Sequence, residues 1–305
     1  MNFIQTLLLF ILHYAINLSD LLGNLNYLAS NQLLNFFMPM PTLVGGLRPT
    51  DVLLPARYDP AAPAPLLIML HEYADDKYET EKILMFADEA SARGYIYVMP
   101  NGIRNLLGER FWAATDACCD FFEMGWNDSQ YLINLVDEIS MKYSIDQKRI
   151  YFAGHSNGGF MAHRMACDHA SRIAGIVSVA GMNYKDISKC KPTEPVNILH
   201  LHGTGDIHIP FNGGSLIGVE FPSAMETMNG WVSLNGCTPN SFTDGTPFSI
   251  ISKRAGDETT PKTAACTPGG NVELWTMADA KHRAKFEQPS FSTKIFDWLD
   301  ANVKD

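Results

Sequence analysis

A serine lies between glycines in the stretch GHSNGG, residues 154–159, and its surroundings are suited to nucleophilic chemistry. The serine is Ser156, which follows a predicted strand, Arg149–Ala153, and precedes a predicted helix that begins at Asn157. Small residues at such a junction permit a sharp turn that lifts the serine hydroxyl clear of the sheet edge. The helix directs its free N–H groups and positive dipole end toward a developing oxyanion. A plain glycine-rich turn is one alternative; a phosphate-binding loop would require a lysine, which this stretch lacks.

A serine hydroxyl is a poor nucleophile without a base, so an acid and a histidine are expected after it in the sequence. Asp206 follows the predicted strand in LHLHGTGD, and His282 follows the predicted strand in ELWTMADAKH. Asp279 is the second candidate for the acid, but it lies close to His282 along the chain. The order of these residues predicts a triad of Ser156, Asp206 and His282.

Two backbone N–H groups must hold an oxyanion beside this serine. One belongs to Asn157, and the other is predicted at Tyr73, in the loop HEYADD after the apolar run LLIML. Two side chains are candidate substrate contacts. They are Trp112, in the irregular stretch 103–127, and Ile207, next to the candidate acid.

The other histidines allow a second interpretation. His200 and His202 alternate on one face of a predicted strand, and together with His208 and Asp206 they could form a metal site. An H-x-H pattern on a buried strand is more often explained by packing and hydrogen bonding, so no metal and no cofactor are expected. His155, beside the candidate nucleophile, is expected to shape the turn.

The elements around these residues alternate between strand and helix after Pro41. Strands are predicted in DVLLPARY, LLIMLHEY, YIYVMPNG, RIAGIVSVAG, VNILHLHGTGD and NVELWTMAD, and helices in KYETEKILMFADEASARG, DSQYLINLVDEISMKYSI, NGGFMAHRMACDHA and STKIFDWLDANV. The last helix is expected to have Ser292 or Thr293 as its N-cap. This alternation predicts an α/β protein with a mainly parallel central sheet and helices on both faces.

Charge and cysteine content narrow the classes of partner and compartment. The 305 residues carry a formal net charge of -10, which disfavours nucleic acid or an anionic membrane as the main partner. The six cysteines include no C-x-x-C pair, which argues against zinc-finger and thioredoxin-like motifs. An even number in loop-like contexts favours disulfides and an oxidising compartment.

Residues 1–40 differ in composition from the rest of the chain. They are strongly apolar and hold no Lys, Arg, Asp or Glu before Asp20. We expect an apolar helical segment that acts as a lid, an oligomer contact or a membrane-surface anchor, the contact lying within residues 1–38. A poorly matched signal peptide is a further alternative, since no basic residue precedes the apolar run. Residues 41–305 are the predicted catalytic domain.

Six segments in order give the chain a resemblance to the polyhydroxybutyrate depolymerase and feruloyl esterase group of α/β-hydrolases. They are PLLIMLHEYADD, RFWAATDACCDF, GHSNGGFMAHRMAC, HLHGTGDIHIPFNGG, WVSLNGC and ELWTMADAKH. The resemblance implies a serine carboxylester hydrolase acting on small or polymeric acyl esters through an acyl-enzyme, with the triad named above. It also implies export, so that the protein is secreted or periplasmic.

The resemblance further implies disulfides. Cys237 is expected to pair with Cys266, and the remaining four cysteines, Cys118, Cys119, Cys167 and Cys190, to pair among themselves. Bonding between the neighbours Cys118 and Cys119 is not expected, because disulfides usually join more widely separated Cα atoms.

Two departures from that group affect the expected substrate. Glu72 stands where the group has glycine in its oxyanion loop, and AKHRAKFEQP replaces its usual G-H-x-W-P-G histidine loop. Acyl length and polyester activity therefore stay open. An exopeptidase or an acyltransferase on the same triad is one alternative function, and a non-catalytic binding module derived from a hydrolase is another.

Overall fold

The computed structural model describes residues 43–267 and 269–305. The predicted N-terminal segment, residues 1–40, lies outside the described residues, so its role as lid, contact or anchor stays a prediction. Among the helices of the described ranges, none combines the length and the apolar character needed to cross a membrane.

The central feature of the described residues is a nine-stranded sheet with the order β1-β3-β2-β6-β7-β8-β13-β12-β11. In chain order the strands are β1 Val52–Leu53, β2 Ala64–Leu70, β3 Ile96–Val98, β4 Ile103–Arg104, β5 Arg110–Phe111, β6 Ile145–His155, β7 Gly175–Val179, β8 Asn197–Gly203, β9 Gly214–Leu216, β10 Val219–Phe221, β11 Thr243–Asp244, β12 Thr259–Thr263 and β13 Val272–Met277. The run from β3 to β13 is parallel, and the edge strands β1, β12 and β11 pair antiparallel. Two small hairpins, β4-β5 and β9-β10, lie outside this sheet.

Helices cover both faces of the sheet. They are α1 Lys77–Leu84, α2 Ala87–Ala92, α3 Asp128–Lys142, α4 Asn157–Asp168, α5 Ala224–Leu234 and α6 Ser290–Ala301, with short 3-10 helices at Ala170–Arg172 and Ile187–Lys189. Alternate residues of β2 enter two separate hydrophobic clusters: Leu66 and Ile68 pack with side chains of α3, α4 and α5, whereas Leu67 and Met69 pack with those of α1, α2 and α6. The predicted α/β class is confirmed, and the burial of β2 on both faces explains why its sequence is almost continuously apolar.

Two of the differences from the predicted helices have a clear local cause. The single helix expected over residues 77–94 is divided into α1 and α2, because Met85 takes a left-handed conformation (φ 53°) and its N–H bonds to the carbonyl of Glu81. The last helix begins at Ser290 rather than after Ser292 or Thr293. The carbonyl of Pro289 already accepts the N–H of Thr293, at 2.9 Å, and so opens the helix earlier.

All six cysteines form disulfides: Cys118–Cys119, Cys167–Cys190 and Cys237–Cys266. The last of these is the pair that the resemblance implied. The expectation that Cys118 and Cys119 would not bond to each other was wrong. It relied on the usual Cα separation of disulfides, whereas these neighbours are joined across a cis peptide bond.

Candidate active site

Ser156 sits on the sharp turn between β6 and α4, with a backbone φ of 52° and ψ of -118°. Two glycines make this turn sterically accessible. A Cβ on Gly154 would lie 2.3 Å from the backbone of Gly158, and a Cβ on Gly158 would lie 2.1 Å from the carbonyl oxygen of Leu70. The glycine spacing therefore reflects close backbone contacts, and the positive φ is the strained geometry typical of a nucleophile elbow.

Asp206 and His282 follow β8 and β13, at the same edge of the sheet as Ser156. The His282 Nδ1–H donates to Asp206 Oδ2 at 2.7 Å. The other carboxylate oxygen, Oδ1, accepts the backbone N–H groups of His208 at 2.9 Å and Ile209 at 3.0 Å. Asp279 is exposed and occupies a left-handed turn, so it is Asp206 that contacts the histidine.

The environment shifts both titrating groups. Burial opposes ionisation of Asp206, but its contacts with His202 and His282 outweigh burial and hold its pKa well below the ordinary value. Burial lowers the pKa of His282, although the hydrogen bond to Asp206 acts in the opposite direction. The pair is thus an ionised carboxylate beside an imidazole that is neutral near pH 7, the protonation state that a general base requires.

Ser156 and His282 line one cavity of about 770 Å³. Its wall is largely apolar and includes Tyr73, Phe121 and Leu216. Tyr73 is held in place because its hydroxyl donates to Glu109 Oε2 at 2.6 Å and its ring lies 5.2 Å from that of Phe121. The predicted contact Ile207 also lines the cavity, with 80% of its surface exposed.

The two predicted oxyanion donors, Asn157 and Tyr73, belong to the helix that follows Ser156 and to the loop after β2. Asn157 is the first residue of α4, where backbone N–H groups have no acceptor within the helix. Its side chain bonds twice to the backbone of Trp112, with Oδ1 accepting the N–H at 2.7 Å and Nδ2 donating to the carbonyl at 2.8 Å. Tyr73 belongs to the loop after β2 and lines the same cavity.

Trp112 does not line the cavity, so its predicted contact with substrate is wrong. The side chain is 0% exposed, and its indole N–H donates to the carbonyl of His71 at 3.1 Å. Together with the two bonds to Asn157, this contact joins the loop after β2 to the first turn of α4. Trp112 therefore supports the backbone next to the serine without lining the cavity.

A second carboxylate–histidine pair lies beside His282. Glu72 Oε2 is 3.1 Å from Nδ1 of His155, and Glu72 Oε1 contacts the guanidinium of Arg283. His155 Nε2–H donates to the backbone carbonyl of His282 at 2.8 Å, and the two rings lie 4.9 Å apart. His155 thus positions the histidine loop as well as the turn. The charge of Glu72 is evident from the sequence, but its partner is not, although Arg283 follows His282 directly.

Asp75 completes this charged cluster by contacting the same guanidinium of Arg283. Burial raises the pKa of Glu72, but the contacts with His155 and Arg283 outweigh it and lower the pKa to about 2. Burial and the neighbouring Glu72 raise the pKa of Asp75 to about 6. The two carboxylates share one cation, and because Glu72 has the lower pKa, Asp75 is the first of the two to take up a proton as the pH falls.

Among the described residues, Glu72, His155 and His282 bring potential metal-ligating atoms within 4.8 Å of one another. In this arrangement the carboxylate of Glu72 is already compensated by Arg283. The alternative metal cluster suggested by the sequence does not direct its side chains at one point: the ring nitrogens of His200 and His202 hydrogen-bond to each other, whereas the ring of His208 lies 5.4 Å from that of His282.

Comparisons with known proteins identify the family of the chain. A family model described as phospholipase/carboxylesterase matches residues 59–233. Feruloyl esterase B of Piromyces equi is 31% identical over 238 residues, which cover 74% of this chain and 43% of the relative. Feruloyl esterase C of Emericella nidulans is 27% identical over 213 residues, covering 66% of this chain and 69% of the relative. The chain spans less than half the length of several curated relatives that it matches.

Solved structures share the fold at low identity. The acetyl xylan esterase from Aspergillus awamori superimposes with a TM-score of 0.60 at 13% identity, covering 83% of this chain and 93% of that one. The Bacillus cereus carboxylesterase superimposes with a TM-score of 0.52 at 15% identity, covering 83% and 94%. With the family model matching more than half of its length, the chain belongs to the phospholipase/carboxylesterase family of α/β-hydrolases.

Proposed function

We propose that this protein hydrolyses carboxylic esters through an acyl-enzyme formed on Ser156. One observation carries the proposal: a serine on a strained strand–helix turn shares a cavity with a histidine that is hydrogen-bonded to a buried, ionised aspartate. The relatives named feruloyl esterase and the matching family model support the same reaction class.

In the first half-reaction, His282 takes the proton of the Ser156 hydroxyl while Oγ attacks the acyl carbon. The N–H groups of Asn157 and Tyr73 hold the resulting oxyanion, and Asp206 stabilises the imidazolium. Collapse of this intermediate breaks the ester C–O bond, and His282 returns its proton to the leaving alcohol. Water, activated by the same histidine, then attacks the acyl-enzyme and releases the acid, which restores the serine.

For the substrate, we propose esters whose acyl group carries an aromatic ring. A cavity of about 770 Å³ exceeds the needs of an acetyl group, since ligand pockets of roughly 300–1,000 Å³ hold drug-sized molecules. Tyr73 and Phe121 offer aromatic surface for a stacked ring at the wall of this cavity. Feruloyl esters, named in two of the relatives, have such an acyl group. The alcohol part of the ester, whether small or polymeric, would remain at the mouth of the cavity.

We also propose that the protein works outside a reducing cytosol. Its three disulfides are typical of proteins that fold in an oxidising compartment. Contact of residues 1–38 with a membrane surface or a second copy remains part of the hypothesis for that segment.

The test is steady-state hydrolysis of methyl ferulate, of methyl laurate and of p-nitrophenyl acetate, butyrate, octanoate and laurate by the parent protein and by Ser156→Ala. We expect loss of the serine to lower kcat by at least about 1,000-fold, as in other triads. We expect kcat/KM to be higher for methyl ferulate than for methyl laurate, an ester with the same leaving alcohol.

Ser233→Ala is the matched control, because Ser233 is exposed on α5 and lies outside the cavity. This variant should keep full activity. Equal ester hydrolysis by Ser156→Ala and the parent protein would disprove the role of Ser156. A preference for methyl laurate over methyl ferulate would overturn only the substrate class.

A further inference from the structure

Three buried histidines form a continuous row that ends beside Asp206. His163 lies on α4, and His200 and His202 lie on β8; each is 0% exposed. We call these three residues the histidine row. None of them lines the cavity that contains Ser156. The mechanism proposed above does not use them, yet His202 contacts the acid of the triad.

The contacts along the row are all between ring nitrogens. Nε2 of His163 lies 3.4 Å from Nδ1 of His200, and Nε2 of His200 lies 3.1 Å from Nδ1 of His202. At the far end, the indole N–H of Trp231 donates to Nδ1 of His163 at 3.0 Å. At the near end, Nε2 of His202 is 2.8 Å from the carbonyl oxygen of Ile209.

The far end of the row determines where each proton lies. An indole nitrogen can only donate, so Nδ1 of His163 accepts the bond from Trp231 and its proton must be on Nε2. That proton lies between the backbone carbonyl of Gly181 and Nδ1 of His200. Two N–H groups cannot face each other across the contact with His200, so Nδ1 of His200 must be unprotonated. By the same step, His200 carries its proton on Nε2 and donates to His202, which then also carries its proton on Nε2.

The near end leads independently to the same assignment. The carbonyl of Ile209 can only accept, so Nε2 of His202 must carry a proton. Working back, Nδ1 of His202 accepts from His200, and Nδ1 of His200 accepts from His163. The two ends agree, and every N–H bond of the row points from Trp231 toward the active site.

This argument requires His163 and His200 to be neutral, and burial favours that state. Burial lowers the pKa of His163 to about 3 and holds that of His200 well below its ordinary value. Each of these rings therefore has one proton to place at neutral pH, and the row has a single consistent arrangement.

The same Nε2–H of His202, whose main acceptor is the carbonyl of Ile209 at 2.8 Å, has the acid of the triad as a second and weaker acceptor, because Nε2 lies 3.5 Å from Asp206 Oδ2. This is the oxygen that accepts the bond from His282. We infer that the histidine row is a positioning device: it presents His202 as a fixed N–H donor to Asp206 and so limits how strongly that carboxylate binds the protonated form of His282. The catalytic meaning of this inference depends on the proposed function, but the proton arrangement does not.

The first experiment measures the proton arrangement without reference to activity. In protein labelled with ¹⁵N at histidine, two-bond ¹H–¹⁵N correlation spectra distinguish a protonated from an unprotonated ring nitrogen. We expect Nε2–H and an unprotonated Nδ1 for all three residues of the row at pH 7. A proton on Nδ1 of any one of them, or a doubly protonated ring, would overturn the inference.

The second experiment compares His202→Gln with His202→Leu. A glutamine amide offers both an acceptor toward His200 and a donor toward Asp206, whereas leucine has neither. We expect leucine to lower kcat by about 2- to 10-fold, because Asp206 loses a long, shared N–H contact that helps to orient it, with KM unchanged because His202 does not reach the cavity. We expect glutamine to restore most of kcat.

The pH profile separates positioning from general damage. With one donor fewer, Asp206 binds the imidazolium of His282 more tightly, so the acidic limb of kcat/KM should move to higher pH in His202→Leu only. The other titratable groups around His282, namely His155, His208, Glu72 and the neighbouring Lys281 and Arg283, are the same in both variants. An acidic limb that stays in place, or that moves equally in both variants, would contradict the inference.

His169→Leu is the matched control. His169 follows α4 and contacts Ser129 through its ring nitrogen, at 2.9 Å, so it lies outside the row. This variant should leave the acidic limb unchanged. Should the protein prove inactive on esters, the pKa of His282 measured by NMR titration replaces the kinetic limb, so failure of the proposed function and failure of this inference give different results. If His202→Leu does not fold, the parent spectra still decide the proton arrangement.

Discussion

Two buried carboxylates each contact a histidine of the active site: Asp206 contacts His282, and Glu72 contacts the neighbouring His155. The two carboxylates are stabilised by different kinds of group. Asp206 receives two backbone N–H groups on Oδ1 and ring nitrogens on Oδ2. Glu72 contacts the ring of His155 and a guanidinium, that of Arg283. Both carboxyl groups have a lowered pKa despite burial. The ionised carboxylate is therefore stabilised by backbone N–H groups at Asp206 and by an exposed cation at Glu72.

Exposure shows what this difference means. The side chain of Asp206 is 0% exposed, whereas Arg283, the main cation beside Glu72, is 56% exposed. Backbone donors cannot rotate away, so the orientation of Asp206 toward His282 is determined by the fold. An exposed guanidinium is screened by water and salt, so the attraction between Arg283 and Glu72 weakens as the ionic strength rises. Backbone donors suit Asp206, an acid that must keep one orientation toward His282. An exposed ion pair suits Glu72, which links the loop after β2 to the loop that carries His282 and Arg283.

The strongest test of this comparison replaces each carboxylate by its amide. Asp206→Asn should lower kcat by about 1,000- to 10,000-fold, because the amide favours the wrong tautomer of the catalytic histidine. Glu72→Gln should lower kcat by less than about 10-fold, since Glu72 acts on His282 through His155 and Arg283 and makes no hydrogen bond to its ring. The measurement is kcat on p-nitrophenyl butyrate for the two variants and the parent.

Folding of both variants should be checked by circular dichroism at the assay temperature. A loss of kcat in Glu72→Gln as large as that in Asp206→Asn would show that the two pairs contribute equally to the reaction, and the contrast drawn above would fail.

A smaller effect is expected on stability. The pKa of Glu72, about 2 in the folded protein, is depressed from an ordinary value of about 4.3. Its stabilising contribution is therefore complete above pH 4.3 and is lost as the pH falls toward 2. Glu72→Gln should lower the free energy of unfolding in urea by about 1–2 kcal/mol at pH 7, and by less at pH 3.5.

The control for this measurement is Glu194→Gln, which removes a surface carboxylate that pairs with Lys304. It should cost less than about 0.5 kcal/mol at either pH. A penalty for Glu72→Gln that is equal at pH 7 and pH 3.5 would mean that its ionised form is not what stabilises the fold.

The smallest effect is expected at Asp75. Its pKa, raised to about 6 by burial and by Glu72, means that folding favours the protonated form. The corresponding stability is complete below the ordinary value of about 3.9 and is lost as the pH rises through 6. Asp75→Asn removes this loss and should raise Tm by about 2 °C at pH 7.5, with a narrower difference at pH 4.5. A lower Tm at pH 7.5 would show that the contact of Asp75 with Arg283 dominates instead.

Sequence patterns anticipated the residues whose placement follows from the ends of parallel strands. Ser156, Asp206 and His282 each follow a different strand, and carboxyl ends of parallel strands meet at one edge, so their proximity could be inferred before any coordinates. The glycines around Ser156 were equally informative, because close backbone contacts exclude a Cβ there. The roles of these residues in catalysis stay predictions.

Features that depend on side-chain direction were beyond the sequence. Composition does not tell whether an aromatic ring such as Trp112 faces a cavity or the core behind it. The break at Met85 requires a left-handed residue inside a helical pattern, which no local signal marks. The alternation of His200 and His202 showed that they share a face, but the partner His163 comes from a helix, and its contact depends on how α4 packs on the sheet.

The order of the strands along the chain has a consequence for biosynthesis. β13, which carries the loop of His282, is the last strand of the described residues, and it completes its pairing by docking on β8. Chains emerge with their N-terminal part first, and long-range parallel pairing is slow. A nascent chain can therefore display Ser156 and Asp206 while it still lacks the base. If the proposed function holds, the onset of ester hydrolysis reports the time at which the sheet is completed, because turnover begins only when β13 has docked.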